Sequence, residues 1–206
     1  MSLHEMLNCD FDSAVEMLGQ VDINITGNYG LNALHYAVYK NNLPLARYCI
    51  SRGVDINKKA HIHYEDRLED EDPQPDFPYH TLPLHYAILN TNMDMINLIL
   101  DNGGDIVSLN GSRSDVISCA VEVGDMEVLT RLLDKGGCVN PIRQTDIETT
   151  PLQTAVLEGN VEMVKLLLDR GAILDTRDDD GYTALHIAAG EGNLEIITLL
   201  LDRGAR

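Results

Sequence analysis

Three aspartates followed by a glycine, Asp178-Asp179-Asp180-Gly181, are the first residues whose spacing suggests chemistry, here calcium coordination. If Gly181 took the sixth place of a helix–loop–helix calcium loop, an acid would be needed at Thr176 and a glutamate at Ile187. Neither is there. Gly190-Glu191-Gly192 offers part of a phosphate cradle, but the third glycine is missing and the preceding residues carry a helical rather than a strand pattern. His61, His63 and His80, with Glu65 and Asp66 near them, are zinc-capable side chains, yet no cysteine pair completes a familiar ligand set. Cys119 has no histidine beside it in sequence and reads as a packed thiol. Nucleophile-elbow, zincin and P-loop patterns are all missing, so neither catalysis nor a metal or cofactor is expected.

Composition narrows the class. The 206 residues carry 15 Lys and Arg against 33 Asp and Glu, a formal charge of −18, which disfavours nucleic acid or an anionic membrane as the partner. No apolar run approaches the roughly 20 residues of a membrane span, and the N-terminus does not open like a secretory signal. Cys9, Cys49, Cys119 and Cys138 are scattered, as reduced thiols of a reducing compartment are. A cytoplasmic or nuclear, non-secreted chain is expected, so the Asn24 and Asn110 glycosylation patterns carry no weight.

The elements that would position these residues emerge from self-comparison. ALHIAAGEGNLEIITLLLDRGA (184–205) aligns without a gap to PLQTAVLEGNVEMVKLLLDRGA (151–172). VISCAVEVGDMEVLTRLLDKGG (116–137), PLHYAILNTNMDMINLILDNGG (83–104) and ALHYAVYKNNLPLARYCISRGV (33–54) follow the same pattern. The shared small residue falls at Ala37, Ala87, Ala120, Ala155 and Ala188, giving spacings of 50, 33, 35 and 33. Asn32, Asp115, Thr150 and Thr183 stand where helix N-caps belong, and Pro83 and Pro151 take the first helical position. Leu82 is a poor cap. A second helix shows apolar spacing, as in Met163, Val164, Leu166, Leu167 and Leu168, and stops at Gly53, Gly103, Gly136, Gly171 or Gly204. One such pair cannot bury its own apolar face, whereas stacked copies can.

A helix–turn–helix unit of this length opening T-P-L-H-x-A resembles the ankyrin repeat. The resemblance covers nearly the whole chain as six repeats, about 1–27, 28–57, 81–106, 107–140, 141–175 and 176–206, in a single domain. It implies an all-α solenoid of stacked helix–turn–helix units with short β-hairpin or loop connections. The aspartates of 178–180 would then sit at a hairpin tip and Gly190–Gly192 at the turn between helices, making the opening motifs structural. His35, His85 and His186 keep the family histidine and are expected to bond locally at the helix start, while Ser118 and Gln153 replace it.

In that family partners dock on a concave face built from hairpin tips and first helices. Alignment places Asn28, Tyr29, Leu31, Tyr39 and Lys40 there in repeat two, and Pro78, Tyr79, Leu89 and Asn90 in repeat three. Repeat four offers Ser112, Ser114, Glu122 and Val123; repeats five and six add Asp146, Ile147, Leu157, Glu158, Asp179, Asp180, Tyr182 and Glu191. Tyr29, Leu31, Tyr39, Tyr79 and Leu89 would be apolar anchors, Tyr182 would also touch the partner, and Asp146, Glu158, Asp179, Asp180 and Glu191 would favour a partner with basic residues. Tyr36 and Tyr86 read as packing residues. The expected function is a non-enzymatic module binding a protein or peptide. The alternative is a recruiting segment of a larger enzyme or pathogen effector whose catalytic domain lies elsewhere. The acidic insertion 58–80, with Tyr64, Phe77 and Tyr79, reads as a solvated loop that could also bind. Leu194, Ile196, Ile197, Leu199, Leu200 and Leu201 look like an interior second helix rather than a polar cap, so the chain is expected to be a fragment of a longer one.

Overall fold

The computed structural model describes residues 3, 9–27, 30–60, 82–107, 116–140 and 149–206. Among them are eleven helices and no strand, falling into two compact units, Met1–Ser114 and Asp115–Arg206. The first unit holds α1 (Phe11–Gly19), α2 (Ala33–Tyr39), α3 (Leu43–Ser51), α4 (Pro83–Leu89) and α5 (Met93–Asp101). The second holds α6 (Val116–Val123), α7 (Met126–Asp134), α8 (Pro151–Leu157), α9 (Val161–Asp169), α10 (Ala184–Gly190) and α11 (Leu194–Asp202). Within the first unit α2 packs on α3 and α4, and α3 packs on α1 and α5. In the second, α8 packs on α6, α9 and α10, and α9 packs on α11. First helices stack on first helices and second on second, as the repeat pattern requires. Of the insertion 58–80, residues 61–80 lie outside the described residues.

At α2, α8 and α10 side chains satisfy free N–H groups of the first turn. Asn32 Oδ1 accepts from the Leu34 and His35 amides at 3.1 and 3.2 Å, and Thr150 Oγ1 accepts from Gln153 at 3.2 Å. In return the N3 side chain reaches back: His35 Nδ1 accepts from the Asn32 amide, Gln153 Oε1 from Thr150 and His186 Nδ1 from Thr183. Those are the local bonds expected of these histidines. Leu82, as its apolar side chain dictates, makes no cap bond, and Pro83 behind it has no N–H to satisfy.

The turn between the paired helices is compact because one residue enters the left-handed region and the next caps the second helix. The left-handed place falls to Asn41, Thr91, Gly124, Gly159 and Gly192, with φ between 49° and 79°. The following Asn42, Asn92, Asp125, Asn160 and Asn193 each accept from a second-helix amide at 2.9–3.1 Å. The amides of Asn42, Asn92, Asn160 and Asn193 also reach back to the carbonyls of Ala37, Ala87, Ala155 and Ala188, the small residues of the repeat. These alanines are fully buried, which leaves no space for a larger side chain.

Second helices end in a common way. The residue after the left-handed glycine donates to the carbonyl five residues earlier, as Gly137 does to Leu132 and Ala172 to Leu167, both at 2.9 Å. Asparagines then tie one repeat to the next. Asn57 Nδ2 donates to Gly103 O at 2.9 Å while its Oδ1 accepts from Asp105 N at 2.7 Å. Asn140 bonds Gly171 O and Ile173 N identically, both at 2.9 Å, and Asn24 pairs with Gly53 O and Asp55 N. A side-chain amide here copies the donor–acceptor pairing of a backbone ladder, so the linkers associate without strands. The connections are correspondingly tight turns, closed by Gly27 N to Leu31 O at 2.8 Å in one unit and Asp178 N to Tyr182 O at 3.0 Å in the other.

Apolar burial supplies the main stabilisation. Leu18, Leu34, Leu84, Ile88, Ile96 and Ile99 fill the first unit, and Ile117, Leu129, Leu132, Leu152 and Leu167 the second. Each fully buried side chain of this size contributes about 1.5–3 kcal/mol. Tyr36 and Tyr86 are buried among them, so their rings pack rather than face a partner.

Candidate functional site

The packing that buries the first helices also decides what they leave outside. A seven-residue helix held on two sides exposes its last residue, and three repeats place an apolar residue at that final position. Tyr39 ends α2 at 38% exposed, Leu89 ends α4 at 45%, and Leu157 ends α8 at 47%. Their immediate predecessors Val38, Ile88 and Val156 are at 0%. The contrast makes this exposure a positional feature of the repeat and not local fraying.

In the first unit the Lys40 ammonium lies 5.7 Å from the centre of the Tyr39 ring, close enough for a cation–π contact. Asn90, beside Leu89, is committed to structure, since its Nδ2 donates to Val38 O at 3.1 Å. Tyr39 and Leu89 thus remain as exposed apolar side chains on a pair of neighbouring, bonded helices. Leu31 does not join them. It is fully buried, immediately before the α2 cap residue Asn32 and among the apolar side chains of the core. The anchor role expected for Leu31 is therefore corrected to a packing role. Tyr29 and Tyr79 lie outside the described residues, as do Asn28 and Pro78.

In the second unit a turn presents the acids. Asp178 receives the Tyr182 amide on Oδ1 at 2.8 Å and the Gly181 amide on its carbonyl at 3.0 Å. Arg177 Nη1 donates to Gly181 O at 2.6 Å. These bonds close the loop around Gly181, whose φ of 80° suits a residue without a side chain. Asp179 and Asp180 are left exposed at its tip. Gln153, buried in the preceding repeat, donates from Nε2 to Tyr182 O at 2.9 Å and to Thr176 O at 3.3 Å. The Tyr182 backbone is thereby pinned while its ring is 51% exposed, tilted toward His186 at 6.1 Å between centroids. Glu158 and Glu191, the C-cap residues of α8 and α10, are both exposed. Asp146, like Ile147, lies outside the described residues.

Sequence reasoning placed the exposed Tyr39, Leu89, Leu157, Tyr182 and four acids on the surface. It missed the tethers, namely Gln153 on Tyr182 and Asn90 on Val38. Gln153 stood out as a departure from the histidine pattern, and that departure was the available signal.

Among the described residues the buried thiols are not activated as nucleophiles. Cys49 is buried and burial pushes its thiol up to about 12, far from the thiolate that reaction needs. Cys119 is buried within α6. Among the described residues no group of three His, Cys, Asp or Glu side chains could hold a metal ion, and no helix is long and apolar enough to cross a membrane. His61, His63 and His80 lie outside the described residues. What the geometry offers is exposed rings and aliphatic side chains on backbones held rigid by side-chain tethers, with carboxylates beside them in the second unit. Such surfaces bind other chains at low ordering cost.

Comparison with known proteins agrees with the architecture. The family model for ankyrin repeats matches residues 3–110 and 116–206. The chain is 32% identical over 151 residues to the ankyrin repeat protein FPV223 of fowlpox virus, covering 73% of this chain and 92% of that one. A second fowlpox virus ankyrin repeat protein, FPV014, is 29% identical over 168 residues, covering 80% of this chain and 33% of its own length. A Danio rerio protein named as the palmitoyltransferase ZDHHC13 is 27% identical over 183 residues, 80% of this chain and 28% of its own length. The chain therefore spans nearly all of one relative and about a third or less of the other two.

Proposed function

The chain belongs to the ankyrin-repeat family, and from that premise we propose a non-enzymatic module that binds a protein or peptide through the first helices and turns of each unit. The observation that carries this reading is the recurrence of an exposed apolar residue (Tyr39, Leu89, Leu157) at one repeat position whose predecessor in the helix is fully buried. In the first unit Tyr39 and Leu89 anchor apolar groups of the partner, and Tyr29 and Tyr79 extend that surface. In the second unit Tyr182 and Leu157 provide apolar contact, while Asp179, Asp180, Glu158, Glu191 and Asp146 attract lysine or arginine. The charge of −18 supports the same preference and raises association rates with basic partners. Cytoplasm or nucleus is the compartment that suits four scattered thiols.

A second reading rests on length. Because the chain spans 33% of FPV014 and 28% of ZDHHC13, the alternative is that it serves as the recruiting segment of a larger enzyme or pathogen effector whose catalytic domain lies elsewhere. Both readings share the binding step. Affinity capture tests it with four baits: wild type, Tyr39→Asp with Leu89→Asp, Asp179→Lys with Asp180→Lys, and a Glu127→Lys control on α7. Proteins kept by wild type and control but lost by a face variant support the proposal. Identical captures by all four overturn it.

A further inference from the structure

We infer that the second helix of repeat two, α3, is a docking strip for an acidic peptide segment of another protein, a surface separate from the first helices and turns. Residues 30–60 hold Lys40, Arg47, Arg52, Lys58 and Lys59 against the single acid Asp55, in a chain of charge −18. Those five are every Lys and Arg among the described residues of the first unit. Positive charge is thus gathered on one repeat. On α3 it is carried by Arg47 and by the C-cap residue Arg52, both exposed.

In the other second helices acids offset such cations, and in α3 those acids have been exchanged. The second helical position holds Asp12, Asp94, Glu127, Glu162 and Glu195 elsewhere but Pro44 in α3. At the fifth position α9 has Lys165, whose ammonium pairs with Glu162 at 2.8 Å. Arg47 stands at that position in α3, with Pro44 three residues before it. At the C-cap, Arg170 and Arg203 each meet the last acid of the preceding second helix, Asp134 and Asp169, at 2.9 Å. For Arg52 that place is taken by Gly19, which has no side chain. Arg52 is held instead by Tyr48, to whose Oη its Nη1 donates at 2.7 Å, and its guanidinium lies 5.7 Å from the ring centre. Tyr48 Oη donates in turn to Val15 O on α1 at 3.3 Å. A guanidinium held in this way binds at lower ordering cost. The helix dipole favours an acid in the first turn, so Pro44 gives up a stabilising charge and leaves that of Arg47 to a partner.

The layout of charge selects the occupant. α3 packs on both α1 and α5, which carry the exposed acids Asp12, Glu16 and Asp94. The basic strip is therefore one helix wide, about 10 Å. A nucleic-acid duplex or a membrane would press its phosphates against the acids on either side, whereas a single peptide strand would not. Arg47 and Arg52 are about 7.5 Å apart along the helix axis. Carboxylates two residues apart on an extended chain are about 6.8 Å apart, so an alternating acidic segment fits.

The test is fluorescence anisotropy of the full chain with a labelled peptide of about ten residues alternating glutamate and alanine. The peptide should bind at least tenfold more tightly than its lysine–alanine counterpart, and binding should weaken with added salt. Arg47→Glu with Arg52→Glu should weaken it at least tenfold. Pro44→Glu places a carboxylate where Glu162 stands in α9 and should weaken binding about fivefold with both arginines kept and helicity unchanged. Lys165→Gln on α9 should leave it unchanged. So should Tyr39→Asp with Leu89→Asp, which separates this strip from the first-helix reading. Unchanged affinity in both the double glutamate variant and Pro44→Glu overturns the inference. Tighter binding of duplex DNA or of phosphatidylserine vesicles than of the peptide, lost in the same variants, also overturns it. So does a dimer of the chain in sedimentation that the double glutamate variant dissolves.

Discussion

Replacing Thr91 with glycine should stabilise the protein. Thr91 is a β-branched residue at φ 49°, the left-handed place between α4 and α5, where repeats four to six carry Gly124, Gly159 and Gly192. The left-handed conformation costs an L-residue about 1–2 kcal/mol, toward the upper end for a branched side chain. Glycine removes that cost but gains unfolded-state freedom worth roughly 0.5–1 kcal/mol. The balance is a stabilisation of about 0.5–1 kcal/mol, or about 1–4 °C in midpoint for a chain of this size. Asn41→Gly should not show the gain, since asparagine tolerates this region and Asn41 Oδ1 accepts from Asn92 Nδ2. Its loss costs about 1 kcal/mol and offsets the relief. Gly159→Thr should lose about 1 kcal/mol by the same reasoning. Far-ultraviolet circular dichroism melts of the three variants decide the matter. A Thr91→Gly protein less stable than wild type, or a neutral Gly159→Thr, would refute the reasoning.

Further outcomes follow from the same geometry. Gly137→Ala should destabilise by about 1–3 kcal/mol in urea unfolding, because its Cβ would lie 2.5 Å from Ile117 Cδ1 and 2.9 Å from Leu132 O. Iodoacetamide should label Cys9 and Cys138, which are exposed, and spare Cys49 and Cys119 until denaturant is added, as read by mass spectrometry. Asp10 caps α1, and its hydrogen bonds from Ser13 hold its carboxyl below the ordinary 3.8. A lowered folded value means that this contribution is present above pH 3.8 and fades as the pH falls through the lower folded value. Asp10→Asn should remove that acid-side dependence in amide exchange at α1 while keeping the cap.

Much of this fold was legible because each unit repeats the same local instructions. Cap residues, the small alanine and the terminal glycine recur at fixed offsets, so a weak signal in one copy is read from the others. The burial of Tyr36 and Tyr86 followed from their place on the inner helical face. Leu31 misled because it precedes the helix, where alignment places turn residues facing outward, whereas its side chain is fully buried. The Asn24, Asn57 and Asn140 tethers were also hidden. An asparagine in a linker looks like turn chemistry until its amide is seen against the glycine carbonyl and amide of the next repeat. Exposure at Leu157 and Tyr182 could be mapped by alignment, but the pinning of Tyr182 by Gln153 is a long-range bond that spacing does not encode.

The central claim concerns the exposed residues of each unit, Tyr39 and Leu89 in the first and Leu157 and Tyr182 in the second, and a titration of one captured partner tests it most directly. Tyr39→Ala and Leu89→Ala together should weaken binding at least tenfold, as should Leu157→Ala with Tyr182→Ala if the partner reaches the second unit. Binding should also weaken with added salt. Unchanged affinity in both double variants, with helicity intact, would contradict the account and move the site elsewhere on the chain.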